Sequence, residues 1–120
     1  MKKLSTIQKR ENLSEVYVMD EKGNGGANHQ YLIIGAGCDL LSGFALEFQN
    51  GPRKDPKSTN GIVDQDLLEI VRHRLQGFQS GELSTRETAI ALTHVEEALL
   101  WLNKRIEDRI ERNVLGTNNQ

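Results

Sequence analysis

The sequence predicts an α+β fold in which an N-terminal antiparallel β-sheet precedes a C-terminal antiparallel helical hairpin with a long last helix. Two observations carry this. Short runs of strand-forming residues, separated by turns rich in glycine and asparagine, occupy the first half of the chain. In the second half, apolar residues recur every three or four positions, with one break at Gly81 and capping residues on either side of it.

Residues 1–12 are basic and polar, with Leu4 and Ile7 as their only sizeable apolar side chains, and read as a loosely held start or a short edge strand. Val16, Tyr17, Val18 and Met19 form a strand that runs into Asp20-Glu21-Lys22-Gly23-Asn24-Gly25-Gly26, whose glycines supply the positive φ of a turn. Tyr31 to Ile34 and Phe44 to Phe48 are the next strands. In the second of these, Phe44, Leu46 and Phe48 alternate with Ala45 and Glu47, the pattern of a sheet with one buried face. Residues 49–61 form a loop that holds both prolines, Pro52 and Pro56, with Arg53, Lys54 and Lys57 clustered around them. It is long for a connector.

Asp64 is the expected cap of a first helix, in which Leu67, Leu68, Val71 and Leu75 recur at helical spacing over about four turns before Gly81. Ser84-Thr85-Arg86-Glu87 then fits a capping box, with Ser84 accepting from the backbone of Glu87 and opening a second helix. Leu92, Val95, Leu99, Leu102 and Ile106 make its seam, continued by Ile110 and Val114, so it runs roughly eight turns, about twice its partner's length. The overhanging half requires cover, and a second subunit is the simplest source.

Composition sets the scale and narrows the partners. A chain of 120 residues suits a single domain, 1–120, with the β-meander and its loop expected in 1–62 and the helical hairpin in 63–114. Hydrophobic residues make up 37% and aromatics 5%, a lean supply for one compact monomer, which again favours a homo-oligomer. Net charge is −2, so there is no bulk attraction to a DNA or RNA polymer or to an anionic membrane. Cys38 is the only cysteine, and neither a secretory leader nor an apolar run of spanning length is apparent. A reducing cytoplasm is the expected compartment.

No catalytic constellation stands out. Gly35 and Gly37 follow Ile33-Ile34 as in a dinucleotide-binding turn, but Leu40 stands at the third glycine position and a strand follows where a helix should. His29, His73, His94 and Cys38 are scattered without metal-ligand spacing, and no serine or cysteine has an evident base. Neither an enzyme, a metal site nor a cofactor is expected.

The arginines of the second helix carry more information. Arg105, Arg109 and Arg112 step by four and three and share one side of the helix. They form either a solvated face, with Asp108 pairing to Arg105 or Arg112, or a fork for phosphate oxygens. Phe78, off the Leu68, Val71, Leu75 stripe, either stacks on a base or plugs the hairpin turn. Trp101 lies one turn before Arg105, which permits a cation–π contact, although packing is the commoner fate of a helical tryptophan.

The chain carries Phe48-Gln49-Asn50-Gly51-Pro52, Asn60-Gly61, Arg74-Leu75-Gln76-Gly77-Phe78-Gln79 with Gly81, and Arg86-Glu87. On these, from about Ala27 to Thr117, it resembles the phage-encoded Thoeris anti-defence proteins of the first-described type, whose hairpin is shared with a phage anti-CBASS sponge. The resemblance continues through Ala91-Leu92-Thr93, Glu96-Glu97-Ala98-Leu99, Trp101-Leu102, Arg105, Arg109 and Gly116-Thr117. It implies a protein of the host bacterial cytoplasm that binds glycocyclic ADP-ribose signals, and in some members cyclic di- or trinucleotides, without cleaving them. It also implies dimers that build a hexamer. Carried over residue by residue, the ligand would be held by Phe78 and by Arg53, Arg105 and Arg109. Thr88 stands where relatives usually have asparagine, so it keeps a hydroxyl but loses the amide's reach and second donor. The stretches Lys57-Ser58-Thr59 and Asn113-Val114-Leu115 also depart from the family pattern. Against this sponge reading stand a module that docks its hairpin on a host defence or replication protein, and a hydrolase of the same signals.

Overall fold

The computed structural model describes residues 1–8, 14–35, 38–39 and 42–111. Ala36, Gly37, Leu40, Arg112 to Leu115 and the Gly116-Thr117 pair lie outside the described residues. The chain divides after Ile62 into two compact units, Met1–Ile62 and Val63–Gln120.

The first unit is a four-stranded antiparallel sheet in sequence order: β1 (Lys2–Lys3), β2 (Glu15–Val18), β3 (Gln30–Ile34) and β4 (Phe44–Glu47). The basic start is thus a short edge strand, with Lys3 opposite Tyr17. The β2–β3 connection turns at Gly25 and Gly26, both at positive φ (76° and 81°), which is why glycines stand there. Asp20 organises the return: its carboxylate accepts the backbone N–H of His29 at 3.0 Å, and the Asn28 side-chain amide donates to its carbonyl at 2.8 Å. Desolvation pushes the Asp20 carboxyl up, but the donors around it prevail and hold it below the usual carboxylate range.

Val16, Ile33 and Phe44 are cross-strand partners on one face, as are Val18, Tyr31 and Leu46. Phe48 continues that face and meets Tyr31 edge-on, with ring centroids 5.6 Å apart. The alternation therefore assigns the face correctly but not its burial at the far end. Phe44 opens the outer strand, next to the end of β3, and is 76% exposed.

The loop after β4 is a braced clasp. Gln49 Nε2 donates to Gly51 O (3.1 Å) and Asn60 Oδ1 (3.0 Å), while its Oε1 accepts from Gly61 N–H (3.0 Å). Asn50 and Thr59 exchange two backbone hydrogen bonds of 2.9 Å, and Ile62 N–H donates to Glu47 O at 3.0 Å. Gly61 is needed for clearance: a Cβ there would collide with the Glu47 carbonyl oxygen and lie 2.8 Å from Phe48 C. Gly61→Ala is expected to cost roughly 2 kcal/mol, because backbone rather than a flexible side chain must yield. Hydrogen exchange of the Asn50 and Ile62 amides measures it; unchanged protection would show that the clasp gives way freely.

The second unit is the hairpin of α1 (Asp64–Gln79) and α2 (Arg86–Glu111). Both caps differ from the sequence expectation by one residue. Val63, not Asp64, is the N-cap of α1; it has no polar side chain, so the only reciprocal bond is Val63 N–H to Asp66 Oδ2, at 2.9 Å. Asp64 is the first helical residue, where a carboxylate still complements the helix dipole. At α2 the cap is Thr85 rather than Ser84: Thr85 Oγ1 accepts the Thr88 N–H at 3.0 Å. Gln79 closes the turn, its Oε1 accepting the Thr85 N–H at 3.1 Å.

Between the helices, Arg72 Nε donates to Glu96 Oε2 at 2.8 Å, with Glu69 3.5 Å from the same guanidinium. The Glu96 hydrogen bond raises the Arg72 pKa above its ordinary value, so the guanidinium stays charged at any physiological pH. Leu99 is the buried centre of the seam, 5% exposed, with Leu92, Val95, Leu102 and Ile106 half-buried along it. No helix among the described residues is long and apolar enough to cross a membrane.

Candidate ligand-binding site

Arg53 belongs to the first unit. It sits on the turn that follows Gly51, whose φ of 93° requires glycine, and its Nη2 donates to Gly61 O at 3.1 Å. The clasp thus fixes an exposed guanidinium in place without neutralising it.

The other four candidate residues lie on the hairpin, at its two ends. Phe78 is in the last turn of α1 and 38% exposed. The Arg74 guanidinium lies 5.4 Å from its ring centroid, inside the range of a cation–π contact. Thr88 is in the first turn of α2. Its hydroxyl accepts from Thr85 Oγ1 at 2.9 Å, which leaves its own proton for another acceptor.

Arg105 and Arg109 lie in the last third of α2. Arg72 faces Glu96 across the hairpin, so eight residues on from each, the start of α1 lies level with about residue 104 of α2. Both arginines therefore project past the end of α1. Asp108, which the solvated-face reading pairs with Arg105 or Arg112, pairs with Lys104 at 3.3 Å, and Arg112 lies outside the described residues. Arg105 is exposed and Arg109 half-buried. From the level of Phe78 to that of Arg109 is roughly 28 Å along the hairpin axis, nineteen helical rises. One hairpin thus brings Phe78 and Thr88 to its turn end and places Arg105 and Arg109 towards its opposite end, where α1 begins.

Arg74 is the neighbour that sequence reading left out of the site, although an arginine four residues before an exposed helical phenylalanine was the available signal. Trp101 departs from the packing expected of it, being 66% exposed in the single chain, as is Leu100 at 71%. Among the described residues no cluster of histidine, cysteine, aspartate or glutamate is arranged to hold a metal ion.

A small antiparallel sheet followed by a hairpin whose long second helix bears a basic overhang defines an α+β protein of the helical-hairpin class. Residues 45–107, just over half of the chain, match the family described as Acb2/Tad1, hairpin domain. The chain belongs to that family. It is also 47% identical over 72 residues to Thoeris anti-defense 1 of Bacillus phage SBSphiJ7, covering 60% of this chain and 50% of that protein. The chain therefore matches about half the length of this curated relative. The resemblance read from the motifs is borne out at the level of the family.

Proposed function

We propose that this protein is an anti-defence sponge: it binds a cyclic ADP-ribose-type signal, or a cyclic oligonucleotide of similar size, and holds it without cleavage. The observation that carries the reading is the complementary pair of hairpin ends, one aromatic and hydroxyl-bearing, the other basic. A cyclic, base-bearing pyrophosphate asks for both, an aromatic face for the base and guanidinium forks for the phosphates. The similarity to a protein named for Thoeris anti-defence supports the same role.

The ends of one hairpin are too far apart to meet on one small ligand, so a second copy completes the site. Two α2 helices that pair antiparallel about their middles, near Leu99 and Leu100, would set Thr88 of one copy beside Arg109 of the other, with Arg105 about 9 Å further along the axis. That pairing would also cover Leu100 and Trp101. We read the dimer as the binding unit, able to build the larger hexameric assembly.

The test is to incubate purified protein with glycocyclic ADP-ribose and with cyclic di- and trinucleotides, filter, and heat the retained fraction. An intact ligand that leaves the filtrate and returns unchanged on heating is the expected result. A returned product would make the protein an enzyme; retention of none of the panel would end the sponge reading and favour a protein-docking role.

A further inference from the structure

The tip of the clasp, residues 52–57, carries Arg53, Lys54 and Lys57 against one acid, Asp55, in a chain whose net charge is −2. Its shape is fixed at the base and within. Asn50 and Thr59 pair across the base, and a Cβ at Gly51 would collide with Ser58 Oγ, so the two legs of the loop touch there. Two successive turns then make the tip: Pro52 O accepts the Asp55 N–H at 3.1 Å, and Asp55 O accepts the Ser58 N–H at 3.0 Å. Pro56 takes the second position of the latter turn, where its fixed φ is favoured.

The cations of this tip are not neutralised. Asp55 Oδ1 accepts the Lys57 backbone N–H at 2.9 Å, which commits that oxygen to the turn. Among the described residues no carboxylate lies within ion-pair distance of Arg53, Lys54 or Lys57, and all three are exposed. The Arg53 guanidinium is tied to Gly61 O, whereas neither lysine ammonium takes part in a hydrogen bond among the described residues. The fold therefore makes no use of the two lysine side chains, yet holds them on a closed, turn-braced loop beside Arg53.

A doubly anionic ligand that approaches a chain of net charge −2 is repelled at long range, so its capture depends on a local excess of cations. Resting on the sponge reading with Arg53 as a phosphate contact, we propose that Lys54 and Lys57 are capture residues: they draw the ligand's pyrophosphate towards Arg53 and raise its association rate without holding it once bound. Exposed cations at the rim of a site act on the association rate and its salt dependence, whereas buried, hydrogen-bonded ones act on dissociation. A sponge competes for its signal while the signal is being made, so speed of capture counts alongside affinity.

Surface plasmon resonance on the immobilised full-length protein, with glycocyclic ADP-ribose as the probe, reads both rates. In about 20 mM salt the double variant Lys54→Gln, Lys57→Gln is expected to associate about fivefold more slowly, the effect of two unit charges on a doubly charged ligand roughly 10 Å away in water. Its dissociation rate should change by less than about twofold, and the difference in association should vanish in about 0.5 M salt, where the screening length falls to roughly 4 Å. Asp55→Asn should act in the opposite sense. Its amide oxygen still accepts the Lys57 N–H while the tip gains a unit of positive charge, so association should quicken about twofold at low salt. Parent-like association of the double variant at low salt, or a loss confined to dissociation, would overturn the capture role and leave the sponge reading intact. Association of Asp55→Asn no faster than the parent's would overturn it too. A parent protein that shows no binding to the probe would remove the sponge reading and this inference with it.

Discussion

Arg109→Ala is expected to lower the affinity for glycocyclic ADP-ribose about 100-fold, and Phe78→Ala about 30-fold, with the helical content of both unchanged. A guanidinium that loses its place against a phosphate in a partly desolvated site removes about 3 kcal/mol, and a lost base–aromatic stack about 2. Arg109 is half-buried on the overhang of α2, which limits its rotamers and makes it a better fork than a fully solvated arginine. Phe78 is off the seam, so its truncation removes little of the packing that holds the hairpin. Arg109→Lys should recover only part of the loss, because lysine offers a point charge where arginine offers two parallel donors. Calorimetric titration beside circular dichroism reads both quantities. Parent-like affinity in both alanine variants would remove these residues from the site, and loss of helix would mean that the affinities report folding.

The largest effect on stability is expected at Leu99. It is the one apolar side chain of the hairpin that the single chain buries, midway along the seam and close to the Arg72–Glu96 clamp. Leu99→Ala should cost about 3 kcal/mol, the sum of the lost transfer energy and the cavity left between two rigid helices. That is a large share of the roughly 10 kcal/mol that a small domain has in hand. Denaturant melts at several fixed protein concentrations measure it, since an assembly that forms only from folded chains makes the midpoint depend on concentration. A cost under 1 kcal/mol would show that the seam collapses onto the space and that stability resides elsewhere.

The architecture was legible because each element rests on local periodicity. Leu92, Val95, Leu99, Leu102 and Ile106 can share a face only on a helix, and the strand runs are short, with β-branched or aromatic residues in each. The errors lie where two neighbouring residues compete for one backbone donor. Ser84 and Thr85 both carry a hydroxyl, and Gln79, which selects Thr85 by accepting its N–H, belongs to the other helix and leaves no trace in the local pattern. Asp64 and Asp66 pose the same choice, decided by which carboxylate reaches Val63 N–H. Ion pairs were the least legible. Asp108 is spaced to reach Lys104 as well as the arginines, and spacing alone cannot rank them. The basic fork was visible from its three-and-four step, but its separation from Phe78 needed the antiparallel level of the two helices, which the Arg72–Glu96 contact supplies.

The Thr85 cap bears on how such a protein can diverge. What Thr85 holds at position 88 is a backbone N–H, which every residue except proline provides. The side chain at 88 contributes to the helix start only through one hydroxyl contact. Position 85 is thereby fixed by folding while position 88, three residues away, is nearly free of it. If residue 88 faces the ligand as proposed, a lineage can sample serine, asparagine or alanine there by single codon changes and keep its helix intact at every step.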